Sequence, residues 1–140
     1  MNTQKQIDLQ FGEDNEKRLL STIQQFFNDD SIIKIACKYS AFDFIGDNIL
    51  IELKTRRCSS FTYPTTIIGI NKFKYTEPDI KYILIFSFTD LVLYIEYDEE
   101  IFKTFSIKTI TRRDRGRIET ALYYHIPIKL LKPIIIDDTL

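Results

Sequence analysis

Two carboxylates and a lysine stand close together in the stretch Phe42–Arg57, FDFIGDNILIELKTRR: Asp43, Glu52 and Lys54. Paired carboxylates suit hard divalent cations such as Mg²⁺, and a lysine beside them can stabilise negative charge that develops at a reacting centre. The stretch reads as a β-hairpin, an apolar run with one acid, a turn at Gly46-Asp47-Asn48, and a second apolar run, Ile49 to Leu53, interrupted by Glu52. Period-two geometry puts Glu52 and Lys54 on one face of the second strand and Ile51, Leu53 and Thr55 on the other. A two-residue Asp47-Asn48 loop pairs 46 with 49, 45 with 50, 44 with 51 and 43 with 52, which brings the Cβ atoms of the two acids to about 4.5–5.5 Å. A Gly46-Asp47 loop pairs 43 with 50 and keeps the acids on one face, whereas a three-residue loop without a bulge separates them onto opposite faces. Carboxylates that close repel each other unless positive charge lies between them.

An aspartate on one strand followed by Glu-x-Lys on the next resembles the active-site pattern of the PD-(D/E)XK nuclease superfamily. Asp43, Glu52 and Lys54 match it, with Phe42 where that family usually has proline. The resemblance implies an α/β fold with a restriction-endonuclease-like core, a mixed central sheet flanked by helices in the order α-β-β-β-α-β, here with extra C-terminal strands. It implies Mg²⁺ or Mn²⁺ held by Asp43, Glu52 and the backbone carbonyl of Leu53, with Lys54 orienting the attacking water. The spacing Gly12-x-x-x-Glu16 is similar to that of a first-helix glutamate which reaches the metal site in many members, so Glu16 joins the implied catalytic and metal-binding set. The function implied is that of a metal-dependent DNA endonuclease hydrolysing phosphodiester bonds, structure-selective for branched DNA in recombination or repair. The small chain resembles junction resolvases and viral nucleases, and cutting two strands would call for a homodimer. The alternative is a catalytically silent, nuclease-fold nucleic-acid-binding module.

These residues need elements to position them. Residues 12–27 predict an amphipathic helix, with Leu19, Leu20, Ile23, Phe26 and Phe27 on one stripe and Glu13, Asp14 and Glu16 in its first turns. Ser31–Tyr39 reads as the first strand, with Cys37 as a buried structural thiol. Pro64 opens a second helix running to about Tyr75, although its β-branched residues oppose that reading. Lys72 and Lys74 would then line a side facing a phosphate backbone. Lys81–Phe88 is a strand buried on both faces, followed by a strand at Leu91–Tyr97. Phe105–Thr111 and Ile118–Ile126 read as strands joined by Arg112-Arg113-Asp114-Arg115-Gly116-Arg117, and Pro133 with Ile134–Ile136 as an edge strand or a subunit contact.

With 140 residues, 44% hydrophobic and 28% charged, the chain reads as one globular domain, 1–140. Its net charge of −1 excludes a protein that coats nucleic acid by bulk attraction. DNA would be gripped by local cations, for which Arg56, Arg57, Lys72, Lys74, Arg112, Arg113, Arg115 and Arg117 are the candidates. Cys37 and Cys58 form no CxxC pair and His125 has no partner at zinc-ligand spacing, so neither zinc nor an organic cofactor is expected. No apolar run approaches a membrane span and the polar start lacks a signal peptide's apolar region, so the expected location is intracellular, in the cytoplasm or at the DNA. The frequent Ile, Lys and Asn resemble the usage of AT-rich genomes, including those of large DNA viruses.

Overall fold

The computed structural model describes residues 19–114 and 116–135. Gly12, Glu13, Asp14, Glu16 and Arg115 lie outside the described residues. Residues 19–26 are helical and form the described part of α1. Among the described residues nine strands follow: β1 (Ile33–Lys34), β2 (Phe44–Ile45), β3 (Ile49–Thr55), β4 (Thr65–Gly69), β5 (Lys81–Ser87), β6 (Val92–Glu96), β7 (Ser106–Asp114), β8 (Arg117–Pro127) and β9 (Lys132–Pro133). A one-turn helix α2 (Glu99–Phe102) lies between β6 and β7. The molecule is mixed α/β, mostly strands.

A six-stranded sheet has the order β1-β2-β3-β5-β6-β9, and a three-stranded sheet the order β4-β8-β7. β3 and β5 run parallel and the other pairs run antiparallel. The large sheet is thus mixed, with its parallel pair at the centre. β5 has the composition this position demands: Tyr82 to Ser87 are all buried, because both faces of a central strand are covered.

Alternation along β3 divides the core in two. Ile49, Ile51 and Leu53 point with Ile83 and Ile85 toward Leu19 and Ile23 of α1. On the opposite face Leu84 and Phe86 pack with Ile68 of β4, Ile126 of β8 and Phe102 of α2. Helix α1 covers one face and the small sheet the other.

Two expected elements differ. Residues 65–69, read from Pro64 onward as the start of a helix, form β4, and only Ile70–Phe73 turn helically, as a 3-10 segment. Thr65, Thr66, Ile67 and Ile68 are β-branched, and pairing with β8 over Thr65–Gly69 buries alternate side chains, which outweighs the start signal of Pro64. The expected first strand, Ser31–Tyr39, shrinks to Ile33–Lys34, because among the described residues it is an edge strand whose partner, β2, is itself two residues long. Cys37 falls beyond that short strand and is exposed, so it is no buried structural thiol.

α2 had no expectation. Asp98 caps it, its Oδ1 accepting from the backbone N–H of Glu100 at 2.9 Å and of Ile101 at 3.3 Å. The β7–β8 hairpin turns through Gly116, whose φ of +74° is open to glycine at no steric cost. The edge strand on β6 is β9, Lys132–Pro133, so that Ile134 and Ile135, expected in such a strand, follow it, and Ile136 lies outside the described residues.

Candidate active site

The β2–β3 hairpin has Phe44 opposite Ile51 and Ile45 opposite Leu50, the register of a two-residue Asp47-Asn48 turn. A Cβ on Gly46 would stand 2.7 Å from Ile49 Cγ2 and 3.0 Å from Ile32 Cγ1, so the entry to this turn needs glycine. Beyond Phe44 the ladder departs from the simple pairing of 43 with 52. Asp43 N–H donates to the Ile51 carbonyl at 2.9 Å, which sets both Asp43 and Phe44 against Ile51 as a β-bulge.

The bulge re-aims Asp43. Its Oδ2 accepts the Leu53 N–H at 2.7 Å, so a side chain continues the ladder where β2 has ended. In a strand the N–H and C=O of one residue face the same edge. The Leu53 carbonyl therefore opens toward the edge that Asp43 occupies. Asp43 and this carbonyl thus lie at the point where β2 leaves β3, next along the strand to Glu52.

Glu52 sits on the face that packs toward the small sheet and is only 6% exposed. A carboxylate this enclosed needs partners, and among the described residues two ammonium groups lie against it. Lys54 Nζ lies 3.3 Å from Oε1 and Lys72 Nζ 3.0 Å from Oε2. Burial pushes the Glu52 carboxyl above its ordinary value; Lys54 draws it down, Asp43 pushes it further up and Lys72 draws it down.

The two lysines differ in freedom. The Lys54 side chain is 38% exposed and the Lys72 side chain 18%. Lys72 also donates to the Ala41 carbonyl and lies over the Phe42 ring at 5.3 Å. It belongs to the 3-10 segment after β4, not to a helix, and it braces the loop before Asp43 against Glu52. The sequence offered Lys72 as a phosphate contact and gave no signal for this pairing, since the partners are twenty residues apart and meet only through the β4 crossover.

The remaining candidates are dispersed. Arg56, just past the end of β3, turns inward, donating from Nη2 to the Ile67 carbonyl at 2.8 Å and from Nε to Thr66 Oγ1 at 3.3 Å. Burial, then the nearness of Arg112, lowers its pKa. Arg57 is exposed, as is Lys74, which lies over the Tyr75 ring at 5.5 Å. Arg112, Arg113 and Arg117 are exposed around the tip of the β7–β8 hairpin, and Arg112 lies over Tyr123 at 5.3 Å. The structure thus brings together Asp43, Glu52, Lys54 and Lys72, and leaves the hairpin arginines as a separate basic rim.

The donor set accommodates a hard divalent ion in part. Asp43 and Glu52 supply carboxylates and Leu53 a carbonyl, while Lys72 competes for Glu52 Oε2. Among the described residues no group of three or more His, Cys, Asp and Glu side chains gathers, so water would have to complete the coordination. No protein-family model matches this chain, and neither a curated protein nor a solved structure matches it.

Proposed function

We propose that this chain is a metal-dependent phosphodiesterase acting on DNA, with a restriction-endonuclease-like core. The observation that carries the reading is the convergence of Asp43, Glu52 and Lys54 at the divergence of β2 and β3, with Glu52 buried at a cost that a purely structural surface pair would not incur. The antiparallel run β1-β2-β3 followed by a β5 parallel to β3 supports it, although β4 and a 3-10 turn stand in the crossover where the resembled family has a helix.

Asp43, Glu52 and the Leu53 carbonyl would hold Mg²⁺ or Mn²⁺, which when bound polarises a phosphate and acidifies a water. Lys54, the more exposed lysine, orients the attacking water and meets the negative charge that builds on the phosphate oxygens. Water oxygen bonds to phosphorus, the ester P–O bond breaks, and the departing oxygen takes up a proton from solvent. Arg112, Arg113 and Arg117 at the hairpin tip would position the backbone without reading bases. Cutting both strands of a duplex would require two copies of the chain.

A titration with Mn²⁺ tests this reading. Binding to the native state alone should raise Tm at millimolar ion, and Asp43→Ala, checked for retained fold by circular dichroism, should lose the increment. Lys54→Ala should abolish cleavage while leaving DNA affinity within about twofold, since a group that acts where charge develops contributes to kcat more than to grip. An unchanged Tm together with no cleavage of branched, duplex or single-stranded DNA would sink it.

One observation favours a second reading, a DNA-binding module without turnover. Both Glu52 oxygens already face an ammonium group, so the cluster is neutralised from within the chain. On that reading Lys72 stands permanently where a cation would otherwise lie.

A further inference from the structure

β7 leaves a long backbone edge uncovered. Among the described residues it pairs with β8 alone, and its nine residues exceed the other sheet edges, β1 and β9 at two residues each and β4 at five. Asp114 stands opposite Arg117 across the hairpin turn, so the backbone of Asp114, Arg112, Ile110 and Lys108 bonds to β8. The alternate residues Arg113, Thr111, Thr109 and Ile107 then turn their N–H and C=O outward. The Thr111 and Thr120 hydroxyls, 3.1 Å apart, fit this alternation, since side chains approach most closely at the pairs that exchange no backbone bonds. Such a row of unpaired groups is a template for another strand. The ribbon also lacks cover on its faces: Thr109, Thr111, Arg112, Arg113 and residues 117–122 are exposed, Ile118 by 67%. Two strands alone are marginal in water, and a further strand on the edge relieves that.

Charge says which strand fits. The segment leading into β7 is acidic, with Glu96, Asp98, Glu99 and Glu100 exposed and Lys103 shared between Glu99 at 3.6 Å and Glu100 at 3.4 Å. The far end of β7 is basic, with Arg112, Arg113 and Arg117 exposed. The strand separates these ends by about 27 Å, and salt screens exposed charges beyond about 8 Å, so they do not neutralise each other within one chain. Antiparallel pairing of β7 with the β7 of a second copy brings the acidic end of each to the basic end of the other. Parallel pairing would set like against like.

The faces agree. Phe102 of α2 packs on Tyr124 at 5.4 Å and on Phe105 at 4.9 Å, so α2 lies on the face of the small sheet that carries Tyr124, Ile107, Thr111 and Arg113. A twofold axis perpendicular to the sheet preserves faces, so Arg113 of one copy arrives on the side that bears the α2 of the other. Centred on Thr109, the register sets Ile107 opposite the partner's Thr111 and Arg113 opposite the partner's Phe105, beside its α2. The neighbouring registers, centred on Lys108 or Ile110, set Lys108 opposite the partner's Lys108 or the partner's Arg112, which is destabilising.

We propose that this chain forms a symmetric dimer in which two β7 edges pair antiparallel about Thr109, with Arg113 of each copy against the partner's Glu99 and the partner's Glu100. Arg112 and Arg117, on the opposite face, remain for a phosphate backbone. The dimer does not depend on the hydrolase reading, and it supplies the second copy that cutting both strands requires.

Sedimentation equilibrium of the full chain across the micromolar range should give the dimer mass. Thr109→Pro removes an outward N–H, which a lone edge strand tolerates, and should give a monomer with unchanged circular dichroism. Should that variant unfold, charge exchange decides. Arg113→Glu should raise the dimer Kd by about tenfold or more, because the contact occurs twice about the axis and becomes repulsive. Adding Glu99→Lys and Glu100→Lys should restore it. A monomeric parent overturns the proposal, as does a dimer that a folded Thr109→Pro leaves intact. Arg113→Glu that weakens DNA binding and leaves the dimer Kd unmoved makes Arg113 a phosphate contact and overturns it too. A dimer that responds as expected but cleaves no DNA in Mn²⁺ upholds this interface and removes the hydrolase reading. Cleavage by a chain that stays monomeric does the reverse.

Discussion

The two faces of β3 are built on opposite terms. On one, Ile49, Ile51 and Leu53 meet Leu19 and Ile23 of α1 with Ile83 and Ile85 of β5, and every inward position is hydrocarbon. On the other, Glu52 is buried beside Leu84 and Phe86, and two lysines from different elements neutralise it. The first arrangement gains stability from dispersion and water exclusion. The second sets desolvation against ion pairing, terms that are large and nearly opposed. A strand of seven residues therefore carries stability on one face and charge held under tension on the other.

The comparison is broken most forcefully on the hydrocarbon face. Ile51 is fully buried, and Ile51→Ala should lower the unfolding free energy by about 2–5 kcal/mol, read as a fall in the urea midpoint at constant slope. A loss below about 1 kcal/mol, the size of an Ile→Val change, would mean that α1 collapses into the space and that this face is less tightly packed than its burial indicates. On the charged face a smaller effect should appear in ion binding instead of folding. Lys72→Ala removes the ammonium that competes for Glu52 Oε2, so Mn²⁺ affinity measured by calorimetry should rise about tenfold, about 1.4 kcal/mol. No rise would favour the module without turnover, because a cation site that gains nothing when its rival leaves is not a cation site.

The hydrocarbon face was legible from the sequence and the charged face only half so. The stripe Leu19, Leu20, Ile23 and the run from Lys81 to Phe88 announce α1 and β5, since their periodicities are long and have no competing pattern. The turn was legible only as one of three geometries, and the register observed is that of the Asp47-Asn48 loop. The bulge that hands Asp43 to the Leu53 N–H was not, because it is a property of where β2 ends, which depends on the loop from 35 to 42. β4 was misread because Pro64 and Thr65 resemble a helix start, while the strand that claims those residues, β8, lies sixty positions away. Lys72 draws its role from the crossover in which β4 stands, and local pattern could name that residue without saying what it faces.

The smallest effect is the most discriminating about the charged face. Burial outweighs the two lysines and holds the Glu52 carboxyl above its ordinary value of 4.5. In the range just above 4.5 the folded protein therefore retains a proton that the unfolded chain has released. Stability must then fall as pH rises through that range, and the charge on Glu52 is a net cost at neutral pH. Glu52→Gln keeps the shape and removes the charge; Lys54, already partly exposed, can turn to solvent, while Lys72 keeps the Ala41 carbonyl. The expected outcome is a Tm at pH 7 within a few degrees of the parent, on the order of 1 kcal/mol or less. Other titrating groups, among them Asp90, whose carboxyl the Ser60 hydroxyl draws below its ordinary value, contribute equally to both proteins and cancel in the difference. That difference, parent minus variant, should decline steadily from pH 4.5 upward and level off once Glu52 is ionised in both states. A difference that grows with pH would mean that Lys54 and Lys72 overcome burial. Glu52 would then be an ordinary stabilising ion pair, and the contrast between the two faces of β3 would dissolve into two ways of packing the same core.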